Sequence, residues 1–279
     1  MSRGPTLSAQ SCAIVMTVAG LVAGLNQIAV AAEVPCLILP YVEMSVVSPT
    51  EGLLETVAVE RGDVVKKGQV LVTLEATREK AQQAVARAKA EQEAALKTSR
   101  VKEAFAARKV ARATDLLKTS SIAQHELDEA ETEKALAETA FLEASENKRL
   151  AELELHRATA ELTLRTIRSP INGVVVDRLQ HPGELAKRDP PILKLAQIDP
   201  LRVEIYAPLS MLNQITVGQQ AEVRPSDQPG GVYAAKVTIV NRVVDSASGT
   251  FGVRLEIPNH DLKLPGGLQC TVKFNGAKK

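Results

Sequence analysis

Hydrophobic and polar residues divide the chain into a long central segment with a helical pattern and two flanking regions with the short alternation typical of β-strands. Residues 76–168 contain neither proline nor glycine and consist largely of Ala, Glu, Lys, Arg, Gln and Leu, the strongest helix formers. A single cluster of weak helix formers, 118–121 (KTSS), interrupts them. The pattern predicts two antiparallel helices, roughly 76–117 and 123–168, and at 1.5 Å per residue the first is a rod of roughly 63 Å.

The start of the second predicted helix carries a capping pattern. Ser121 and Gln124 have the spacing of a capping box, in which side chains satisfy the free backbone N–H groups of the first turn. Glu126 adds a negative charge where the helix dipole favours it. We therefore expect the second helix to be capped from Ser121.

A heptad repeat in the second helix predicts that the two helices pack as a coiled coil. One ladder is large and apolar, with two lysines in its gaps: Leu127, Lys134, Phe141, Lys148, Leu155 and Leu162. The companion ladder is alanine throughout: Ala130, Ala137, Ala144, Ala151 and Ala158. In the first helix a less regular ladder is expected to face it: Ala81, Ala88, Ala95, Lys102, Lys109 and Leu116. Alanine lets two backbones approach closely, so the rod should be thin.

The segments on either side of the hairpin repeat one another. Each begins with S-P-x-x-G, at 48–52 and 169–173, and continues with a β-branched run, a glycine turn and a closing apolar strand. The repeat predicts two halves, 48–75 and 169–198, of one small β-sandwich. Together they look like a biotinyl/lipoyl-type domain split by the hairpin 76–168.

The chain ends are predicted to contribute strands and a signal segment. Short alternating strands from 199 to 275 predict a small β-barrel, to which 32–47 adds an N-terminal strand, and 276–279 form a tail. Residues 1–31 have the basic start, short apolar run and small residues of a secretory signal peptide. A retained membrane anchor is the alternative, although the apolar run is shorter than the roughly 20 residues that a spanning helix needs.

Composition and motif content argue against several kinds of chemistry. Lys plus Arg (34) nearly equal Asp plus Glu (33), which gives no basic footprint for nucleic acid. The four histidines are dispersed, no phosphate-binding glycine loop occurs, and Met44 and Met211 do not form a metal-binding cluster. Lys66 and Lys67 lie in a glycine turn away from the junction where carrier domains hold their modified lysine. We expect no enzyme activity, no cofactor and no metal site.

Three segments, in this order around a proline-free hairpin, carry a family resemblance. They are E-R-G-D-V-V-K-K-G-Q at 60–69, V-D-S-A-S-G-T-F-G-V-R at 244–254, and I-P-N at 257–259 followed by L-P-G-G-L ending at 268. The chain resembles the HlyD-type and resistance-nodulation-division (RND)-type periplasmic adaptors, also called membrane fusion proteins. The resemblance implies an elongated α+β fold: a split lipoyl-like β-sandwich with an inserted antiparallel coiled-coil hairpin, followed by a small β-barrel.

The resemblance also implies a function and a set of contact residues. Such adaptors couple an inner-membrane transporter, of RND or ABC type, to an outer-membrane channel in the periplasm through an oligomeric, typically hexameric, funnel. Their hairpin tips contact the channel through Arg, Leu and Ser, whose positions here hold Arg112, Leu116 and Ala123. Because alanine replaces the serine, Ser120 or Ser121 is expected to substitute in the tip contact.

Export leaves Cys36 and Cys270 as the two cysteines of the mature chain, and an oxidising compartment allows them to pair. The family resemblance implies that both cysteines lie on barrel strands near the chain ends, where a disulfide can form. The alternative is that they are two buried free thiols. Two other functions stay open besides the adaptor: a periplasmic coiled-coil scaffold that works without a pump, and a lipoyl- or biotinyl-carrier subunit.

Overall fold

A computed structural model describes residues 33–275; the predicted signal segment 1–31 and the tail 276–279 lie outside the described residues. The strands are β1 (Val34–Val46), β2 (Gly52–Val57), β3 (Val64–Val65), β4 (Val70–Leu74), β5 (Thr166–Arg168), β6 (Gly173–Arg178), β7 (Leu185–Ala186), β8 (Leu193–Pro208), β9 (Gln220–Pro225), β10 (Tyr233–Asp245), β11 (Thr250–Ile257) and β12 (Leu268–Phe274). The helices are α1 (Thr77–Ala90), α2 (Ala94–Lys118) and α3 (Gln124–Thr163). Within residues 33–275, no helix has both the length and the apolar character needed to cross a membrane.

The two halves of the β-sandwich are related by a pseudo-twofold axis, and each donates an equivalent backbone hydrogen bond to the other. Gly62 N–H donates to the Val175 carbonyl at 2.9 Å, and Gly183 N–H donates to the Leu54 carbonyl at 2.8 Å. The two bonds correspond by a shift of 121 residues: the donor Gly62 corresponds to the donor Gly183, and the acceptor Leu54 corresponds to the acceptor Val175. The internal repeat seen in the sequence is therefore a structural repeat, and each half completes the other. Neither half can satisfy its turn N–H groups alone.

A six-stranded barrel follows the sandwich in the order β1-β12-β9-β10-β11-β8, and the pairing of β1 with β8 closes it. Alternate side chains of β8 point into its core, where Leu201, Val203, Ile205 and Ala207 are at most 1% exposed. This alternation is the period-2 pattern that predicted strands in this region.

No linker separates the sandwich from the barrel, because β1 and β8 are continuous strands that run through both. In β1, residues 36–40 pair with barrel residues of β8 and residues 42–46 pair with 193–197 in the sandwich. The boundary expected at 198/199 therefore lies in the middle of a strand. Two paired strands resist bending more than a flexible connection does, so the two β-domains are joined stiffly.

The expectation of one continuous first helix over 76–117 is wrong, because the chain leaves the helix at 91–93 between α1 and α2. The buried positions explain the break. The buried residues are Glu79, Ala86 and Ala90 on α1 and Ser99 and Ala106 on α2, and Gln83, Leu96 and Glu103 beside them are half-buried. If the heptad pattern of α1 continued without a break, residues 97 and 100 would face α3. In α2 the residues that do so are 96 and 99, one position earlier in the sequence. One residue is about 100° of helix rotation, and the break at 91–93 absorbs it.

The predicted ladder of the first helix is consequently also wrong. Its members are all exposed and not buried against α3: Ala81, Ala88, Ala95, Lys102, Lys109 and Leu116. Lys148 of α3 lies at the break, where its ammonium donates to the Ala90 carbonyl that ends α1.

The heptad seam predicted for α3 is confirmed. Leu127, Ala130 and Ala158 are buried, and every other position on the two ladders is half-buried against α1 or α2. The hairpin is thus a coiled coil with an alanine-rich seam. Together with the sandwich and barrel it confirms the α+β fold class expected from the sequence.

Candidate functional site: the hairpin, its base and its tip

The base of the hairpin is fixed to the sandwich by one arginine. Arg165, just beyond α3, donates to the Glu79 carboxylate at 2.8 Å and to the Glu51 carbonyl at 2.9 Å. Glu79 is 5% exposed and lies in the first turn of α1, so both ends of the hairpin meet in this ion pair. Gly52 makes the approach possible, because a Cβ there would overlap the Arg165 guanidinium.

The charge state of Glu79 follows from competing effects. Burial raises the pKa of its carboxyl, but hydrogen bonds from its own backbone N–H and from Arg165, with the arginine's positive charge, outweigh burial. The pKa of Glu79 is therefore lower than its ordinary value. The carboxylate stays ionised at neutral pH, and the ion pair at the hairpin base is intact there.

The turn at the hairpin tip is a Schellman motif. Ser120 N–H donates to the Leu117 carbonyl and Ser121 N–H donates to the Leu116 carbonyl, both at 2.9 Å. Ser120 occupies the left-handed position of the motif with φ of 56°, where glycine is the favoured residue. These bonds end α2 and reverse the chain toward α3.

The capping box expected from Ser121 and Gln124 is wrong. Ala123 is the N-cap residue of α3, and no side chain bonds to the free N–H groups there. Ser121 lies two residues too early because the Schellman turn uses it, and its hydroxyl contacts the Thr119 hydroxyl at 2.9 Å. Sequence spacing alone could not separate these two uses of the same serine.

The structure brings the predicted tip residues together at the free end of the hairpin. Arg112, Leu116, Ser120, Ser121 and Ala123 are all exposed there. Leu116 is 47% exposed although it is a large apolar residue, one helical turn from Arg112 on the same face of α2. The tip thus offers an apolar side chain, a positive charge and two hydroxyls to a partner. Their role in binding stays a prediction.

The same outward face of α2 carries two more apolar residues that the sequence reasoning missed. Val101 and Phe105 are 67% and 50% exposed, and with Arg112 and Leu116 they follow helical spacing along one stripe. The stripe lies opposite the seam with α3. The signal was available in the sequence as an apolar i, i+4 pair in phase with the tip residues.

The turn lysines considered as carrier positions are held through their backbone N–H groups. Lys66 N–H donates to the Gln69 side chain and Lys67 N–H to the Asn172 side chain, at 2.9 and 2.8 Å. The Asp63 carboxylate accepts from Glu60 N–H within the same turn. The geometry therefore uses these residues to shape a turn that closes one half of the sandwich on the other.

Cys36 and Cys270 lie directly opposite each other on β1 and β12. Their Cα atoms are 4.8 Å apart, within the range for disulfides, and the two sulfurs are bonded. The pair links the first and last strands of the barrel. In residues 33–275, no three His, Cys, Asp or Glu side chains converge as a metal site.

The I-P-N motif locks the loop after β11 onto the middle of β8. Asn259 is buried, and its amide donates to the Ile198 and Leu264 carbonyls at 2.9 and 2.8 Å. The backbone N–H of Asn259 donates to the Asp199 carboxylate and lowers the pKa of that group. Burial raises the pKa of Asp199, but the hydrogen bond and the charge of His260 lower it further, so the net shift is downward. The motif thus stiffens the point where β8 passes from sandwich to barrel.

Comparison with known proteins gives two adjoining family matches. The family model of the CzcB-like barrel-sandwich hybrid domain matches residues 43–197, and that of the CusB-like β-barrel domain matches residues 201–278. A UPF0194 membrane protein of Enterobacter sp. strain 638 is 24% identical over 274 residues, covering 80% of this chain and 83% of that protein. A UPF0194 membrane protein of Acidithiobacillus ferridurans is 31% identical over 87 residues, 31% of this chain and only 26% of the relative's length.

A solved structure shares the fold. MacA from Actinobacillus actinomycetemcomitans superposes with a TM-score of 0.71 at 20% identity, over 88% of this chain and 78% of that one. The first family model spans more than half of the 279 residues, including both sandwich halves and the whole hairpin. The chain therefore belongs to the CzcB-like barrel-sandwich hybrid family, which confirms the membrane-fusion-protein resemblance seen in its sequence.

Proposed function

We propose that this protein is a periplasmic adaptor of a tripartite efflux or secretion system. It couples an inner-membrane transporter, of RND or ABC type, to an outer-membrane channel through an oligomeric funnel, for which six copies are expected. The observation that carries the proposal is the exposed Arg112–Leu116 tip, held at the end of a coiled coil whose base is clamped to a β-body.

The hairpin has the mechanical properties that such a coupling needs. Forty residues of α3 extend about 60 Å at 1.5 Å per residue. The alanine seam keeps the rod narrow, and the Arg165–Glu79 pair prevents it from pivoting freely on the sandwich. A force or displacement at the β-domains is thereby transmitted to the tip.

The sandwich acts in this proposal as a scaffold and not as a carrier of a cofactor. The hairpin occupies the junction between its halves, and the backbone bonds of Lys66 and Lys67 tie that turn into the sandwich. Function then lies in surface complementarity and not in bond chemistry. The signal segment 1–31 directs export, and the protein works in the periplasm beside the inner membrane.

The proposal is tested by photo-crosslinking in cells. A photoreactive phenylalanine analogue at Leu116 is activated by light, and crosslinked proteins are identified by mass spectrometry. The same analogue at Leu153, 58% exposed on α3 and far from the tip, is the matched control. This design leaves Cys36 and Cys270 in place.

Capture of an outer-membrane channel from position 116 and not from position 153 is the expected result. A folded, exported protein that captures no channel from Leu116 would contradict the adaptor function and favour the scaffold without a pump. An added mass on Lys66 or Lys67 in the intact protein would instead identify a carrier subunit.

A further inference from the structure

The end of the barrel that lies away from the sandwich is formed mainly by two loops, and we call it the outer barrel end. Residues 209–219 join β8 to β9, and residues 246–249 join β10 to β11. The N–H of Leu209 donates to the Gly249 carbonyl at 3.1 Å and connects the two loops. Ile215 of the longer loop is buried in the barrel core. The outer barrel end is therefore an ordered surface.

Four large side chains at or near this end are exposed. Leu209 and Val217, in the longer loop, are 49% and 66% exposed. Tyr206 and Val243 are 72% and 79% exposed, and each lies two residues from the end of its strand. Gly252 of β11, directly opposite Tyr206, has no side chain that could cover the ring. Exposed apolar surface of this kind marks a contact with another protein or with a membrane.

The loops of the outer barrel end carry no charge. Residues 205–221 contain no Asp, Glu, Lys or Arg, and neither do residues 246–253, although 24% of the chain is charged. By contrast, the loops at the sandwich end of the barrel, 226–232 and 258–267, contain two aspartates and a lysine. Uncharged loops can enter the headgroup region of a bilayer without the cost of desolvating a charge.

One arginine lies beside the apolar side chains. Arg242 is exposed on β10, next to Val243, and borders a depression of about 630 Å³. The other residues that line the depression are four apolar and two polar ones: Leu212, Ile215, Val217, Val240, Asn213 and Thr216. A guanidinium beside apolar groups suits a phospholipid, because it can pair with the phosphate while the apolar groups contact the acyl chains.

We propose that the outer barrel end rests in the surface of a phospholipid bilayer without crossing it. Leu209, Val217 and Val243 lie at the boundary of the acyl chains, and Arg242 pairs with lipid phosphates. Tyr206 lies at the level of the headgroups, where amphipathic aromatic rings are favoured. This is the arrangement of a protein that lies on a membrane and contacts one leaflet.

Two observations favour a bilayer over a protein as the occupant of this surface. β1 begins at the outer barrel end, so the apolar run 13–25 is connected to the described chain on this side. Uncharged loops also lack the charged groups that give many protein contacts their specificity. The inference rests on the proposed function only for the identity of the membrane, which is then the inner membrane.

Site-specific tryptophan fluorescence tests the contact, because the chain contains no tryptophan. Val217→Trp and Val243→Trp are made separately in the full-length protein and mixed with vesicles of phosphatidylcholine and phosphatidylglycerol in a three-to-one ratio. Vesicles of the same composition with brominated acyl chains quench only a tryptophan that enters the bilayer. Val232→Trp is the matched control, since Val232 is 56% exposed but lies at the sandwich end of the barrel.

Tryptophan at 217 and at 243 should be quenched at least about twofold, because the apolar face of a protein on a membrane lies about 5–10 Å deep. Tryptophan at 232 should keep its emission. The control carries the same substitution, so an affinity for lipid that tryptophan itself adds is equal in all three proteins. Membrane binding through the segment 1–31 alone would not distinguish position 217 from position 232.

Charge reversal gives a second arm of the test. Arg242→Glu in the Val217→Trp protein should reduce the quenching at least about twofold, because a carboxylate is repelled by lipid phosphates. Arg242→Lys keeps the positive charge and should retain the quenching. Arg188→Glu makes the same charge change at an exposed position of the sandwich and should leave the quenching as it is.

Equal quenching at 217, 243 and 232, or no quenching at the two outer positions, would overturn the proposal. Quenching that does not respond to Arg242→Glu would also overturn it. These outcomes are independent of channel capture from Leu116. Channel capture without quenching rejects the membrane contact alone, and quenching without channel capture rejects the adaptor function alone.

Discussion

The Cys36–Cys270 bond allows a quantitative test of how the barrel is held closed. The two residues are 234 positions apart, so the bond joins almost the whole described chain into one loop. In the chain-entropy account, closing a loop of this length in the unfolded state raises the free energy of unfolding by about 5.5 kcal/mol at 25 °C. Reduction should therefore lower the stability of the barrel by about 5 kcal/mol, the upper end for native disulfides.

Tyrosine fluorescence during urea unfolding reports on the relevant part of the molecule. The chain has no tryptophan and three tyrosines, Tyr41, Tyr206 and Tyr233, all of which lie in strands outside the hairpin. With an m-value of about 3 kcal/mol/M, the expected loss moves the midpoint down by about 2 M urea. The comparison is the oxidised protein against the same protein with reductant, since no side chain is then replaced.

Two controls separate the cross-link from other effects of reduction. Cys36→Ala with Cys270→Ala should unfold at or slightly below the midpoint of the reduced protein, because a small cavity remains at the buried Cys270. Reductant should leave this variant unchanged. Equal midpoints for oxidised and reduced protein, or two reactive thiols in the unfolded, unreduced chain, would refute the reasoning.

Three further predictions follow from single sites. Ser120→Gly should raise the stability of the hairpin by about 0.5–1 kcal/mol in thermal unfolding monitored at 222 nm, because the left-handed position no longer carries a side chain; Ser121→Gly is the control and should not. Asn259→Ala should lower the free energy of unfolding in urea by about 2 kcal/mol, because the Leu264 N–H, which donates to the Asn259 side-chain oxygen, and the Ile198 and Leu264 carbonyls lose buried partners; an unchanged midpoint would contradict this. The lowered pKa of Glu79 means that its stabilisation is present above the unfolded value of about 4.3 and is lost as pH falls through the folded value. Below pH 4.5 the wild type should therefore lose more stability than Glu79→Gln, and parallel pH profiles would contradict the assignment.

Much of the architecture was predictable because it depends on local rules. The absence of proline and glycine over 76–168 predicted the hairpin, and the Leu127–Ala130 heptad predicted which face of α3 is buried. The S-P-x-x-G repeat predicted two matching halves, and the structure adds the exchanged Gly62 and Gly183 hydrogen bonds. These features are set by residues close in sequence or by simple periodicity.

The parts that could not be predicted depend on contacts between distant residues. Nothing between 91 and 93 breaks a helix by propensity, so the sequence favoured one continuous first helix. The break arises because the burial pattern of α1 and that of α2 differ in phase by one residue, while both must face the same α3. Lys148, 58 residues away, then bonds to the Ala90 carbonyl that the break leaves free. A lysine in an apolar heptad ladder, which looked like a weakness of the coiled coil, thus satisfies the backbone where the partner helix changes register.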